Sequence, residues 1–222
     1  MRLAELTSTK VLTEEDRRDA LEVIRSVYLD EKKWIDNVET EIADGYAEDP
    51  KFSWFLVRCG DEGAGVIRMA YDPPLEIPSA FEVKLDRDID LEAVARHCRF
   101  VEVGRFMIKP EYRRNIRVAM KLMMAGIAEV VERGYTHFIT DVFENDPHSP
   151  LQFHTRVLGF ERIGTHRYGE LHCNSVRIIL VLDIVRGYHR VKSRKAKFVS
   201  DMAESLRERL DRMKPVALGL KL

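Results

Sequence analysis

A glutamate in the middle of an apolar segment is the first residue of chemical interest. Glu102 lies in Phe100–Ile108 (FVEVGRFMI), whose alternating pattern predicts a β-strand. A carboxylate in such a strand is unfavourable unless it is paired or has a chemical role. Glu102 is therefore a candidate acid–base group, and a core ion pair is the alternative. Alternation predicts one face formed by Phe100, Glu102, Gly104 and Phe106.

Arg105 is the second candidate on this strand. By alternation it shares the opposite face with Val103 and Met107. A guanidinium can bind a ligand carboxylate through two parallel hydrogen bonds. It can equally form a structural ion pair, for which Glu82 and Asp141 are candidates, and the sequence leaves both interpretations open.

Three arginines follow this strand, which Pro110 ends. Arg113, Arg114 and Arg117 lie where the chain turns into a long helix predicted over Ile116–Glu132. Backbone N–H groups at a helix N-terminus bind anions readily, and arginine side chains bind phosphate. The turn is a candidate anion site, with a solvated basic turn as the alternative.

A histidine lies in the short helix predicted over Pro147–Val157. His154 could donate a proton near neutral pH, because histidine titrates in that range. A surface histidine is the alternative interpretation. Asn145 and Ser149, in the preceding loop and at the start of this helix, are further candidates for ligand contacts.

The remaining pattern alternates strands and helices. Thr13 caps a helix over Glu14–Leu29, with Asp16 in the acidic position of a capping box. Gly134 and Gly159 end the two later helices. This alternation predicts an α/β (α+β) domain with a mixed central sheet flanked by helices. The other predicted elements are strands Ser53–Arg58, Gly65–Tyr71, His137–Phe143, Phe160–Tyr168 and Val176–Ile184, and a helix over Ala196–Met213.

Composition excludes several classes of protein. Of 222 residues, 45% are hydrophobic and 33% charged, which is typical of a globular domain and argues against a disordered or collagen-like chain. No apolar run approaches the ~20 residues of a transmembrane helix, and the first ten residues lack the apolar core of a signal peptide. Three scattered cysteines without a CxxC pair indicate a reducing compartment. We expect a cytoplasmic protein without a metal site.

The C-terminal end is basic. Residues 186–222 contain eleven Lys or Arg and four Asp or Glu, a net charge of +7, whereas the whole chain carries −1. This segment is predicted to be a basic helical extension that meets an acidic partner or surface, peripheral membrane contact included. A solvated helix with an incidental excess of charge is the alternative. The segment has few interleaved aromatic residues, which argues against nucleic-acid binding.

The order of these elements resembles the GCN5-related N-acyltransferase (GNAT) superfamily. The resemblance is carried by Glu102–Arg114 (EVGRFMIKPEYRR) and Phe153–Phe160 (FHTRVLGF), and it covers residues 10–184. It implies a GNAT-like domain over residues 1–185, followed by the extension over 186–222.

Two families within that superfamily are similar to the chain. The Glu-x-Gly-Arg-Phe segment from Glu102 is similar to the Glu-x-Ser-Arg-Phe strand of acyl-homoserine-lactone autoinducer synthases. Long-chain N-acyl amino acid synthases resemble the chain in the same segment, in Leu-Gly-Phe and in the closing strand, and this match is the better one. The autoinducer synthases are matched further at Arg25, Tyr28 and Trp34, and their acidic pair only loosely at Asp44 and Asp49.

The better match implies transfer of a medium- or long-chain fatty acyl group from acyl carrier protein, or from acyl-CoA, to the amine of an amino acid or similar small molecule. Glu102 would orient or deprotonate the amine, directly or through water. Arg105 would bind the acceptor carboxylate or serve structurally, and His154 would protonate the leaving thiolate. The alternatives are an autoinducer synthase that uses S-adenosylmethionine, an acetyl-CoA-dependent acetyltransferase, and an inactive acyl- or carrier-binding module.

The resemblance also implies where the donor binds. The acyl-pantetheine arm would pair with the backbone of Met107, Ile108 and Lys109. The usual turn, Arg/Gln-x-x-Gly-x-Gly/Ala, lets glycine backbone approach pyrophosphate, but here Arg114-Asn-Ile-Arg-Val-Ala119 lacks its glycine. We therefore favour a carrier-bound donor over coenzyme A. The other residues assigned to the donor are Arg113, Arg114, Asn115, Ile116, Arg117, Val118, Ala119, Asn145 and Ser149.

Overall fold

The computed structural model describes residues 5–72, 83–86, 97–167, 171, 173, 175–194, 199 and 202–216. The strands are β1 (Leu6–Lys10), β2 (Phe52–Cys59), β3 (Glu62–Tyr71), β4 (Lys84–Leu85), β5 (Phe100–Ile108), β6 (His137–Phe143), β7 (Glu161–His166) and β8 (Arg177–Asp183). The helices are α1 (Glu14–Ile24), α2 (Ile116–Ala125), α3 (Ile127–Glu132), α4 (Ile184–Ser193) and α5 (Glu204–Arg212). The described strands form one mixed sheet in the order β1-β2-β3-β5-β6-β8-β7-β4, which confirms the predicted fold class.

The chain divides into two compact units. The first unit comprises Met1–Tyr71 and Val103–Val130, and the second comprises Asp72–Glu102 and Val131–Leu222. Strand β5 contributes its first three residues to the second unit and the rest to the first. The division expected after residue 185 falls inside α4, a helix of the second unit.

In the first unit, α1 begins as the sequence predicts. The Thr13 hydroxyl accepts a hydrogen bond from the Asp16 N–H, and the Asp16 carboxylate accepts one from the Thr13 N–H, completing a capping box. The helix continues in π-helical geometry over Arg25–Glu31, so the predicted helix over Glu14–Leu29 is confirmed with a wider final turn. Strand β1, which pairs antiparallel with β2, was not predicted.

The long helix predicted over Ile116–Glu132 is two helices, because α2 ends at Gly126 and α3 follows it. A Cβ atom at Gly126 would lie 2.9 Å from the Met69 Cε atom and 3.0 Å from the Phe55 Cε2 atom. Glycine therefore allows the helix backbone to pack closely on β2 and β3. Gly134 has a φ of 77°, a left-handed conformation that suits the predicted end of the second helix.

In the second unit, β6 is the central strand. It pairs in parallel with β5 over three residues and antiparallel with β8 over its whole length. Strand β7 pairs with β8, and β4 with β7. The buried core cluster that covers this part of the sheet consists of Cys98, Phe100, Ile139, Ile163, Ile179 and Val181.

Helix α4 follows β8 directly and lies mostly within the segment 186–222, which was predicted to be helical without bounds for this helix. The Asp183 carboxylate caps it by accepting from the Arg186 N–H at 2.9 Å, and also accepts from the Val216 N–H at 2.6 Å. Helix α5 is shorter than the predicted Ala196–Met213, of which residues 196–198, 200 and 201 lie outside the described residues. None of the described helices is long and apolar enough to cross a membrane.

Candidate active site

Glu102 lies where β5 pairs with β6. It is opposite Ile139 in the parallel register and is half-buried. Adjacent paired residues share a face of the sheet, so Glu102 lies on the same face as Ile139 and Phe100. A carboxylate at the border of an apolar cluster is well placed for proton transfer to or from a ligand on that face.

Arg105 forms an ion pair that the sequence did not predict. Its Nε atom donates to the Glu41 Oε2 atom at 2.7 Å, and the two side chains are only 11% and 10% exposed. The guanidinium also lies over the Tyr28 ring, 5.5 Å from its centre. Of the two partners considered from the sequence, Asp141 accepts from His166 and Arg177, and Glu82 lies outside the described residues.

The backbone of Arg105 interrupts the regular pleat of β5. Its φ of 51° is in the left-handed region, which is unusual for a residue other than glycine and is typical of a bulge in a strand. The alternation of side chains between the two faces of β5 therefore does not continue past Arg105. The prediction that Phe106 shares a face with Glu102, and Met107 with Arg105, relied on that alternation and no longer follows. Such strain is frequent at functional sites.

The backbone segment assigned to the pantetheine arm is partly engaged within the first unit. The Lys109 N–H donates to the Ala64 carbonyl at 3.0 Å, so it does not pair with an added strand. The Lys109 ammonium donates to Glu62 at 3.1 Å. Met107 is buried and Ile108 half-buried.

Arg113 is held inside the first unit. Its two terminal nitrogens bind both carboxylate oxygens of Glu31, and its Nε atom donates to the Ile108 carbonyl at 3.0 Å. This geometry uses the guanidinium on three sides. These bonds hold the turn after β5 in place, and contact of Arg113 with the donor stays a prediction.

Arg114 and Arg117 differ from Arg113 in being exposed. Neither has an ion pair in the part of the chain that the structure describes. Between them Ile116, with 54% of its surface accessible, is one of two exposed large apolar residues among those described. The N-terminus of α2 thus presents two cations that flank an apolar side chain.

The first backbone N–H groups of α2 are largely occupied. The Asn115 side chain accepts from the Arg117 N–H at 3.1 Å, and the Asn115 carbonyl accepts from the Val118 N–H at 2.9 Å. Val118 and Ala119 face the interior. A cap of this kind satisfies N–H donors that an anion would otherwise bind. An anion at this turn would therefore be bound mainly by side chains.

His154 lies in the interior of the second unit, so the surface position that was the alternative interpretation is wrong, and its burial argues against the role of proton donor. It is 0% exposed, its Nδ1–H donates to the Pro150 carbonyl at 2.9 Å, and its ring contacts Phe160 edge-on. Burial lowers the pKa of His154 to about 4. The imidazole is therefore neutral at physiological pH and shielded from solvent.

The two loop residues near His154 have different surroundings. Asn145 is exposed. Ser149 is half-buried, and its hydroxyl accepts from the Leu151 N–H at 3.4 Å at the start of the helical turn. The hydroxyl therefore already has a structural role, whereas the Asn145 amide faces solvent.

A polar cluster on three strands was missed in the sequence. The Asp141 carboxylate on β6 accepts from His166 on β7 at 2.8 Å and from the Arg177 Nη1 atom on β8 at 3.1 Å. Burial alone would raise the pKa of Asp141, but the His166 hydrogen bond and the charge of Arg177 lower it overall. Among the described residues no group of three or more His, Cys, Asp or Glu side chains could hold a metal ion.

Comparison with protein families matches residues 19–182 to FeeM, an N-acyl amino acid synthase. Comparison with curated proteins gives no match. Among solved structures, FeeM from uncultured soil microbes superposes with a TM-score of 0.62 at 16% identity, over 90% of this chain and 99% of that chain.

Two acetyltransferase structures are similar as well. A putative GNAT-family acetyltransferase from Desulfovibrio desulfuricans has a TM-score of 0.57 at 10% identity, over 81% of this chain and 99% of that chain. Arabidopsis thaliana NAA60 in complex with acetyl-CoA has a TM-score of 0.56 at 11% identity, over 81% and 99%. These similarities confirm the GNAT-like fold.

Proposed function

Because the chain belongs to the family of FeeM, an N-acyl amino acid synthase, we propose that it transfers a medium- or long-chain fatty acyl group from acyl carrier protein to the amine of an amino acid. The family and the fold make the chain an N-acyltransferase. The carrier-bound donor and the amino-acid acceptor are the parts that we propose.

The proposed reaction is aminolysis of a thioester. The neutral amine attacks the thioester carbonyl carbon, a C–N bond forms, the C–S bond breaks, and the pantetheine sulfur leaves as a thiolate. Glu102 accepts the proton that the amine loses, directly or through water. A thiol has an ordinary pKa of about 8.5, so the thiolate can leave and take a proton from solvent without the buried His154.

The surface at the start of α2 is the observation that carries the choice of donor. Arg114 and Arg117 are exposed and flank Ile116, while Asn115 caps the helix and occupies its N–H groups. Exposed cations around an apolar side chain suit the acidic surface of a protein. A pyrophosphate is better served by free backbone N–H groups, so these features favour a carrier protein over coenzyme A.

The test compares the two donors directly. Purified protein is incubated with palmitoyl-loaded acyl carrier protein, or with palmitoyl-CoA, and a mixture of the twenty amino acids, and N-acyl products are measured by mass spectrometry. We expect products that depend on the carrier and that disappear with Glu102→Gln. No product with either donor would refute the proposed function.

Charge reversal tests the surface itself. The double variant Arg114→Glu/Arg117→Glu should lower kcat/KM for the carrier-bound donor by about 10- to 100-fold at low salt, because it removes electrostatic steering. The rate with palmitoyl-CoA should change far less. The matched control is Arg162→Glu on β7, outside the basic C-terminal segment, where the side chain is 45% exposed. An equal loss with both donors would contradict docking of a carrier protein at this surface.

A further inference from the structure

We propose that Arg177 binds the carboxylate of the amino-acid acceptor through its Nε and Nη2 atoms. The inference rests on the proposed function and deepens it by naming the side chain that recognises the carboxylate of the acceptor. Arg105, for which the sequence left carboxylate binding and a structural ion pair both open, is paired with Glu41.

The guanidinium of Arg177 is only partly satisfied by the protein. Arg177 is 5% exposed, and its Nη1 atom donates to Asp141 at 3.1 Å. Its Nε and Nη2 atoms are buried and have no hydrogen-bond partner among the described residues. Buried donors without partners are rare and unfavourable, so such a pair points to a ligand.

These two donors form one edge of the guanidinium. The Nε–H and Nη2–H bonds run nearly parallel, and this is the edge that binds a carboxylate through two hydrogen bonds. The group is fixed in orientation from two directions, by Asp141 at Nη1 and by the Phe143 ring, whose centre lies 4.8 Å from the Arg177 Cζ atom. A planar anion is therefore the ligand that this edge fits.

The cluster lies on the same face of the second unit as Glu102. Glu102 pairs with Ile139, and Asp141 is two residues further along β6 on that face. Strand spacing and rise place the Glu102 and Asp141 Cα atoms roughly 8 Å apart. An α-amino acid carries its amine and carboxylate on neighbouring atoms, so an acceptor anchored beside Asp141 presents its amine towards Glu102.

Exposure gives the direction of access. The Asp141 side chain is 35% exposed, whereas those of Arg177 and His166 are 6% and 5% exposed. The cluster therefore opens at Asp141, and the arginine lies behind it. A buried cation reached past a carboxylate suits a zwitterion, because the positive group of the ligand offsets its repulsion by Asp141 as it enters.

The test uses two pools of acceptors with one acyl donor. One pool holds the twenty L-amino acids, and the other holds the corresponding L-amino acid amides, which keep the amine and side chain but lack the carboxylate. We expect the wild-type protein to prefer the acids over the amides by about 10- to 100-fold in kcat/KM, in line with a bidentate charged contact.

Arg177→Lys keeps the charge beside Asp141 but removes the two-donor edge. We expect it to raise KM for the acids by about 10- to 100-fold with little change in kcat, and to leave the amides unaffected. The matched control is Arg162→Lys on β7, a 45% exposed side chain paired with Asp86, which should behave as wild type.

Three outcomes overturn the inference. Equal acylation of both pools by the wild-type protein does so without any variant, so misfolding of Arg177→Lys cannot protect the proposal. Unchanged discrimination in a folded Arg177→Lys protein does so as well, and either result leaves the proposed N-acyltransferase intact. No product from either pool refutes the proposed function, and the inference with it.

Discussion

Acidification should destabilise this protein through His154, and replacement by phenylalanine should remove that part of the pH dependence. The buried imidazole has a pKa of about 4 in the folded chain. In the unfolded chain its pKa returns to about 6.5. Between these two values the unfolded state binds a proton that the folded state does not, so stability is full above pH 6.5 and falls as the pH decreases towards 4.

The size of the effect follows from the two values. A gap from about 6.5 to about 4 corresponds to roughly 3 kcal/mol of unfolding free energy. Phenylalanine keeps a flat ring next to Phe153 and Phe160. The Pro150 carbonyl, which accepts from the imidazole, also accepts from the backbone N–H of residue 154 at 2.9 Å and so keeps a partner in the variant.

The assay is urea unfolding of the wild-type protein and of His154→Phe at several pH values from 7.5 to 4.5. A change in packing shifts the unfolding free energy of the variant by the same amount at every pH. The other titrating groups are common to both proteins, and they include the buried His137, whose pKa is also lowered by burial. Below pH 6 the unfolding free energy of the wild-type protein should therefore fall, relative to that of the variant, by about 1 kcal/mol per pH unit. Parallel curves would refute the interior assignment of His154.

Two further predictions concern ion pairs of the first unit. Glu41→Gln keeps the shape of the partner of Arg105 but not its charge. In urea unfolding it should lower the unfolding free energy by about 1–1.5 kcal/mol, the difference between charged and neutral hydrogen bonds. The control is Glu39→Gln, whose native side chain is 60% exposed, and it should stay within about 0.5 kcal/mol of wild type. The Tyr112 hydroxyl donates to Glu62 at 2.8 Å, which raises the pKa of Tyr112 to about 12; ¹³C NMR titration of labelled tyrosine should show that pKa falling towards 10 in Glu62→Gln, and no change would exclude this contact in solution.

Local patterns were sufficient for the central strands. The bounds predicted for Phe100–Ile108 and His137–Phe143 agree with β5 and β6, because alternation and β-branched residues mark a strand directly. The break at Gly126 was missed because an amphipathic pattern tolerates one glycine. A glycine is needed at position 126 because Phe55 and Met69, which are distant in sequence, leave no room there for a Cβ atom.

The site depended more on contacts that a sequence does not reveal. Arg105 was found, but its partner Glu41 is 64 residues away in an irregular segment. Arg177 is the first residue of an apolar strand, and in the sequence it looks like a charged residue exposed to solvent at the end of that strand. Only the adjacency of three strands joins it to Asp141 and His166.

The binding of Arg113 by Glu31 has a consequence for how long a docked partner stays. It anchors the turn after β5 to the end of the π-helical segment Arg25–Glu31. The surface formed by Arg114, Ile116 and Arg117 comes directly after this turn, which is held in place before any partner binds. A surface that is ordered beforehand loses little conformational entropy on association. A contact made of a few exposed charges forms rapidly and dissociates rapidly. Such brief residence would suit the carrier protein that we propose as donor, which must deliver its acyl group and depart before the next one arrives.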